Sequence, residues 1–275
     1  MTPLTFEWGR RTHVMGVVNV TPDSFSGDGI TDVQAAVALG RQMRADGADI
    51  IDVGGESTRP GAHPVPLDEE LRRVMPVIEV LAADRGAVVS VDTMKSEVAQ
   101  RALGAGAVMI NDVSAMRSDP EMAGVVAEFQ APVVLMHGYG TAPAADAPVH
   151  GIVSEVLEFL EERIESATAA GVARERILID PGFGFAKTVQ QNLEILRRLR
   201  ELRVLKLPVV IGPSRKGTIG RVLGGLPVEE RVEGTAAAVV VSIINGADVV
   251  RVHDVRVMTR VARMTDAIIR PELGE

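Results

Sequence analysis

The chain contains no cysteine. That excludes disulfides, thiolate catalysis and any metal site built on sulfur. It also lacks an excess of basic residues: 29 Lys and Arg stand against 37 Asp and Glu, a net charge of −8. That argues against nucleic acid as the main partner, because a phosphate backbone needs a broad basic face. A small anionic ligand needs only a local cluster and stays open. No apolar run is long enough for a membrane. The longest, 235–244, is about half of the roughly 20 residues a span needs and reads as a buried helix. The N-terminus has no apolar core of a secretory signal, so a cytoplasmic location is expected. Lysine occurs only at Lys95, Lys187, Lys206 and Lys216. Three signatures are missing as well: a Gly-rich dinucleotide fingerprint after the first apolar run, a Gly-x-Ser-x-Gly nucleophile elbow, and histidines or carboxylates at zinc-ligand spacing.

What is present is a repeated pattern. Eight short, β-branched apolar runs occur at 14–20, 49–53, 88–91, 108–113, 132–136, 176–179, 208–211 and 248–252. Apolar residues at three- and four-residue spacing mark helices at 33–44, 67–81, 152–167 and 193–205. Gly47, Gly86, Gly106, Gly171 and Gly246 stand where a helix returns to a strand and wants a left-handed residue. Such alternation implies a parallel sheet. Eight units in 275 residues favour a single-domain (β/α)8 TIM barrel over residues 1–275, with its active site at the C-terminal ends of the strands. A doubly wound sheet is second. The irregular segments 24–30, 57–65 and 138–148 each follow an expected strand, and the Ala- and Gly-rich last one reads as mobile.

Several runs end in polar residues. The most informative is Ile-Leu-Ile-Asp180-Pro-Gly-Phe-Gly-Phe185-Ala-Lys187, an apolar strand that delivers a carboxylate to its tip. Asp92, Asn111 and the Arg251/His253 pair occupy equivalent places. A single strand-end Asp most often satisfies loop amides. Three such groups together fit the donor edge of an amino-pyrimidine, each charge-assisted hydrogen bond contributing roughly 1.5–3 kcal/mol. Asn19 opens a Thr-Pro-Asp-Ser segment of hard oxygen ligands, suited to a magnesium-bound phosphate or equally to an Asx turn. Asp52-Val-Gly-Gly-Glu-Ser-Thr58-Arg59-Pro60 follows the second run, where Arg59 clamps an anion or is simply solvated. Gly212-Pro-Ser214-Arg-Lys216-Gly217 follows the seventh, and loops seven and eight of this fold often bind phosphate. Ser214 could there cap a helix. Met136 is a packing residue, in the core or against a flat ligand. His137 is left without a role, and His13, His63 and His150 have no partner pattern.

Taken together and in order, these segments resemble the dihydropteroate synthase family of pterin-binding enzymes, across essentially the whole chain. The resemblance implies condensation of 6-hydroxymethyl-7,8-dihydropterin diphosphate with p-aminobenzoate, giving dihydropteroate and pyrophosphate, with Mg2+ as cofactor and a homodimer as the assembly. It implies a pterin pocket of Asp92, Asn111, Val113, Met136, Asp180, Gly212 and Lys216. The diphosphate falls to Asn19, Thr58, Arg251 and His253, with Asn19 on the metal. The p-aminobenzoate site takes Thr58, Arg59, Pro60, Phe185, Ser214 and Lys216. The catalytic set is then Asn19, Asp92, Asp180, Lys216, Arg251 and His253, and Arg251→Ala is expected mainly to reduce catalysis and diphosphate affinity. Two departures stand out: Gly217 where many members carry Ser, and Ser-Gly-Asp-Gly at 26–29 in place of the usual Asp-Gly-Gly after the Ser. A pterin-dependent methyltransferase domain and a non-catalytic pterin-binding paralogue are the alternatives.

Overall fold

A computed structural model describes residues 6–21, 30, 32–57, 63–138 and 151–270. Eight strands form one parallel sheet: β1 (His13–Asn19), β2 (Ile50–Gly54), β3 (Val89–Asp92), β4 (Met109–Asp112), β5 (Val133–Met136), β6 (Ile177–Asp180), β7 (Val210–Ile211) and β8 (Val249–Val252). They run in the order β6-β5-β4-β3-β2-β1-β8-β7. The seam between β6 and β7 is bridged at Ile179 and Val209, where the Ile179 N–H donates to the Pro208 carbonyl at 3.0 Å. The sheet therefore closes into the expected (β/α)8 barrel. Each strand falls on one of the eight apolar runs, displaced by a residue or two because pairing, not hydropathy, sets its ends.

Helices α1 (Val33–Ala45), α2 (Leu67–Ala83) and α5 (Ile152–Ala169) coincide with three of the four periodic segments. The fourth differs. Helix α6 spans Val189–Arg198, and Leu199–Leu205 continues as 3-10 turns. A capping box sets the earlier start: the Gln191 N–H donates to the Thr188 hydroxyl at 3.2 Å, and the Thr188 N–H donates to the Gln191 side chain at 2.9 Å. Helices α3 (Ser96–Gly104), α4 (Met122–Phe129) and α7 (Gly217–Val222) have too few turns for an apolar stripe to repeat legibly. Helix α8 (Val232–Ile244) contains the longest apolar run, but only one side is buried; Val241 and Ile244 are exposed. It packs on α9 (Val255–Ile269). Among the described residues no helix is long and apolar enough to cross a membrane.

All seven helix-to-strand returns carry a left-handed residue. The five glycines named from the sequence have φ between 74° and 107°, and Gln130 and Lys206 take φ 51° and 54° at the other two. An αL residue lets the chain reverse while the last helical carbonyls keep partners.

Alternate side chains along each strand face opposite ways. One set packs against the helices, as Val14, Val18, Val53, Val91, Ile110, Val133 and Ile179 do. The other fills the barrel's lower half: Met15, Ile50, Met109, Val134, Leu178, Val210 and Val249 form a separate buried cluster. Each such side chain contributes roughly 1.5–3 kcal/mol. Phe6 and Trp8 stack at 4.7 Å beneath it and stand edge-on to His13, so this histidine belongs to a plug. Burial, with Arg11 adding to it, lowers the His13 pKa to about 4. With the lower end filled, the next inward positions, toward the strand C-termini, form the floor of an open mouth.

Candidate active site

That floor is an ion cluster. Arg251, on β8, donates from Nε to Asp52 of β2 and from Nη2 to Asp92 of β3, each at 2.7 Å. Asn111 of β4 donates to the same Asp52 oxygen at 2.9 Å. Asp52 is completely buried, and its other carboxylate oxygen has no hydrogen-bond partner among the described residues. Burial raises the Asp92 pKa to about 7, with Asp52 adding to the rise and Arg251 opposing it. Burial acts against Arg251 too, but the two carboxylates outweigh it and hold the guanidinium charged.

Asp180 ends β6 on the opposite side. Its Oδ1 accepts the Gly182 N–H at 2.6 Å, and burial raises its pKa to about 6 against the pull of that bond and of Lys216. The Pro-Gly break is a steric requirement: Gly182 has φ 69°, and a Cβ there would lie 1.8 Å from the His137 carbonyl oxygen. The chain then turns back and presents Phe183, Gly184 and Phe185. Lys216 lays its ammonium over the Phe185 ring, 3.9 Å from the centroid. Burial and the nearby Arg251 lower the Lys216 pKa to about 8.

This turn is held from behind by Lys187 and His137. The Lys187 ammonium donates to the Gly182 and Phe185 carbonyls, both at 3.1 Å, and stands 2.9 Å from His137 Nδ1. Burial lowers the Lys187 pKa to about 7, and burial with the Lys187 charge lowers His137 to about 3. Lys187 is a positioning residue. Lys187→Met frees the two carbonyls, so KM for the ligand portion against Phe185 rises about tenfold and stability falls by roughly 1–3 kcal/mol. Steady-state kinetics with urea denaturation checks this; an unchanged KM refutes the positioning role.

The seventh and eighth strands bring Gly212, Ser214, Lys216, Arg251 and His253 together, as the sequence indicates. One expectation is corrected. Ser214 caps no helix: α7 begins after Lys216 without a side-chain cap. Its hydroxyl accepts the His253 backbone N–H at 3.2 Å and lies 3.0 Å from His253 Nδ1, fixing that ring. Arg215 turns to Asp254 in a two-pronged pair at 3.0 and 2.7 Å.

Asn19, Asp92, Asn111, Val113, Met136, Asp180, Phe185, Gly212, Ser214, Lys216, Arg251 and His253 all line one cavity of about 300 Å³. Thr58, Arg59 and Pro60 lie outside the described residues, as does most of the segments 24–30, 57–65 and 138–148. Thr21, Glu56, Ser57 and Arg221 also line the cavity and carried no assignment from the sequence. Glu56 pairs with Lys95, which also holds the fully buried Glu70. Asp52 was legible as a carboxylate inside an apolar run, which demands a buried cation; its distance in sequence from Arg251 hid the partner.

The site is a deep polar cleft, with acids and an amide at its floor and cations on its upper wall. The family model for "Pterin binding enzyme" matches residues 15–253. The dihydropteroate synthase of Bacillus subtilis is 46% identical, covering 97% of this chain and 92% of its own. The solved Xanthomonas albilineans dihydropteroate synthase with 4-aminobenzoic acid is 48% identical, with a TM-score of 0.87 over 94% of each chain. The Yersinia pestis synthase in a sulfonamide complex is 38% identical, with a TM-score of 0.91 over 98% of each. Barrel, cleft and kinship over nearly the whole chain agree: the protein belongs to the pterin binding enzyme family, within its dihydropteroate synthases.

Proposed function

We infer that this chain, a single domain over 1–275, condenses 6-hydroxymethyl-7,8-dihydropterin diphosphate with p-aminobenzoate to give 7,8-dihydropteroate and pyrophosphate. The observation that carries this reading is the convergence of Asp92, Asn111 and Asp180 on one buried end of the cavity, with Lys216, Arg251 and His253 beside them. The acids take the N–H groups of the amino-pyrimidine edge, and Asn111 adds an amide. Val113 and Met136 give the flat ring apolar contact.

In the reaction the bond between the methylene carbon and the diphosphate oxygen breaks, and its electron pair leaves with the diphosphate. The arylamine nitrogen then forms the new C–N bond and releases a proton to solvent. No nucleophilic side chain is required. Asp92 and Asp180 hold negative charge near the ring where positive charge develops. Arg251 and His253 lie where negative charge develops on the leaving group. Phe185 and Lys216 hold the arylamine against the methylene, which is proximity catalysis.

Mg2+ fits the residues present. Asn19 supplies a carboxamide oxygen, and the buried Thr21 hydroxyl has no hydrogen-bond partner among the described residues. Among these residues no group of three or more His, Asp or Glu could hold a metal. The ion would rest on Asn19 and Thr21 together with substrate oxygens and water, the usual pattern for magnesium with phosphates. When bound, it would neutralise charge on the diphosphate.

The protein works in the cytoplasm as a homodimer on this reading. Val241 and Ile244 of α8 and Val257, Met264 and Ile268 of α9 expose apolar side chains on two packed helices, a surface a second copy would cover. Sedimentation at micromolar concentration should give twice the chain mass; a single-chain mass ends the dimer proposal. The activity is tested by pyrophosphate release from the pterin diphosphate with magnesium, with and without p-aminobenzoate. Release that depends on the arylamine and equals dihydropteroate formed supports the reading. Pterin binding with no product moves the chain to a silent paralogue.

A further inference from the structure

Helix α7 contributes two residues to the cavity mouth, Gly217 and Arg221. They are four positions apart, so they share one face of the helix, a single turn from one another. Side chains on a helix lean toward its N-terminus. The Arg221 stem therefore leans toward the turn that carries Gly217 without covering it. At Gly217 nothing lies within 4 Å of where a Cβ would stand. No side chain covers the helix face at Gly217.

The other cations lining the cavity are engaged. Arg251 is held by Asp52 and Asp92, and Lys216 lies over Phe185. Farther out, Lys95 belongs to Glu56 and Glu70, and Arg215 to Asp254. Arg221 is exposed, lines the cavity and has no carboxylate, carbonyl or ring partner among the described residues. The arylamine must present its nitrogen to the methylene at the buried end. Its carboxylate, para to that nitrogen, then points away from Asp180 and past Phe185 toward the mouth.

We propose that Arg221 receives the carboxylate of the arylamine substrate across the open face at Gly217, and so makes this site selective for aminobenzoates over uncharged anilines. This rests on the synthase reading above. Arg221 is a specificity residue at the far end of the substrate from the bond that forms. Its effect is therefore felt in discrimination between acid and amide rather than in the chemistry of diphosphate loss.

The test compares p-aminobenzoate with p-aminobenzamide as substrates, and pteroic acid with its carboxamide as ligands in calorimetry. The parent protein, R221Q, R221K and, as a charge control on the exposed face of α3, R101Q are measured side by side. The parent is expected to prefer acid over amide in both assays. In R221Q that preference falls about tenfold, the size of one charge-assisted hydrogen bond. R221K, which keeps the charge, retains most of it, and R101Q retains all of it. A preference that survives intact in R221Q, or falls equally in R101Q, overturns the assignment. Failure of the parent to turn over p-aminobenzoate would strike the synthase reading instead, and the pteroic acid comparison would still decide the role of Arg221.

Discussion

Replacing Arg251 with methionine lowers the unfolding free energy by about 3–5 kcal/mol at pH 8 and abolishes dihydropteroate formation. The sequence reading gives Arg251 a duty toward the leaving group, with loss of activity as the main effect of removing it. The structure adds a second duty. One guanidinium joins two buried carboxylates from β2 and β3, each at 2.7 Å. Methionine fills much of the volume but leaves both carboxylates without their cation, and one of them, Asp52, is completely buried. The deficit shrinks as the pH falls. Asp92 already titrates at about 7 with Arg251 present, and removing the opposing cation moves it higher. Its carboxyl then takes a proton at mildly acidic pH, and the uncompensated charge disappears. Urea denaturation at pH 8 and pH 6 reads both effects. Stability within about 0.5 kcal/mol of the parent at pH 8, the scatter of ordinary surface changes, would show that the cluster does not depend on Arg251.

Asp180→Asn separates binding from folding in the opposite sense. The amide keeps an oxygen to accept the Gly182 N–H at 2.6 Å, so the turn is preserved. It cannot serve as the anion for two N–H groups of the pterin edge. Affinity for the pterin diphosphate falls about 100-fold or more, since each charge-assisted bond contributes roughly 1.5–3 kcal/mol. Stability does not fall with it. Burial raises the Asp180 pKa from 3.8 to about 6. A carboxyl raised in this way favours the folded state most below its unfolded pKa, and that contribution is lost as the pH rises through about 6. At pH 8 the unliganded parent therefore carries the cost of a buried carboxylate, about 3 kcal/mol at most. The variant does not. The signature is a flatter stability curve for Asp180→Asn between pH 4 and pH 7, together with no calorimetric signal for the pterin diphosphate. A variant that binds normally removes Asp180 from the pterin pocket; one that is less stable than the parent at pH 8 contradicts the burial argument.

Both effects come from acids placed where solvent is scarce. A protein selected for stability alone would not set Asp92 and Asp180 on one cavity, with Asp52 fully buried and a single guanidinium between Asp52 and Asp92. The cost is offset when a ligand brings N–H donors to the floor. Substrate should therefore stabilise this chain more at pH 8 than at pH 6.

The sequence by itself determined the barrel. Eight β-branched runs, the helices between them with their three- to four-residue spacing, and glycines at the returns carry the alternation locally. It also determined which ends carry candidate chemistry, a carboxylate, amide or guanidinium at the tip of an apolar strand, but not which of them face the mouth: Asp112 ends β4 and instead accepts the Ser114 and Met116 amides. Gly182 was legible as a break, although the 1.8 Å approach to the His137 carbonyl that excludes any other residue was not. Only the tertiary structure decided the partners. Asp52 and Arg251 are 199 positions apart, and β1 lies between their strands, so closure of the sheet is what brings them together. Lys187 and His137, 50 positions apart, meet because β5 and β6 are neighbours. Ser214 looked like a helix cap and instead fixes His253, since β7 and β8 lie side by side. Local periodicity is written in adjacent residues and survives in a one-dimensional reading. Charge pairing depends on the register of a closed barrel, which no short segment contains.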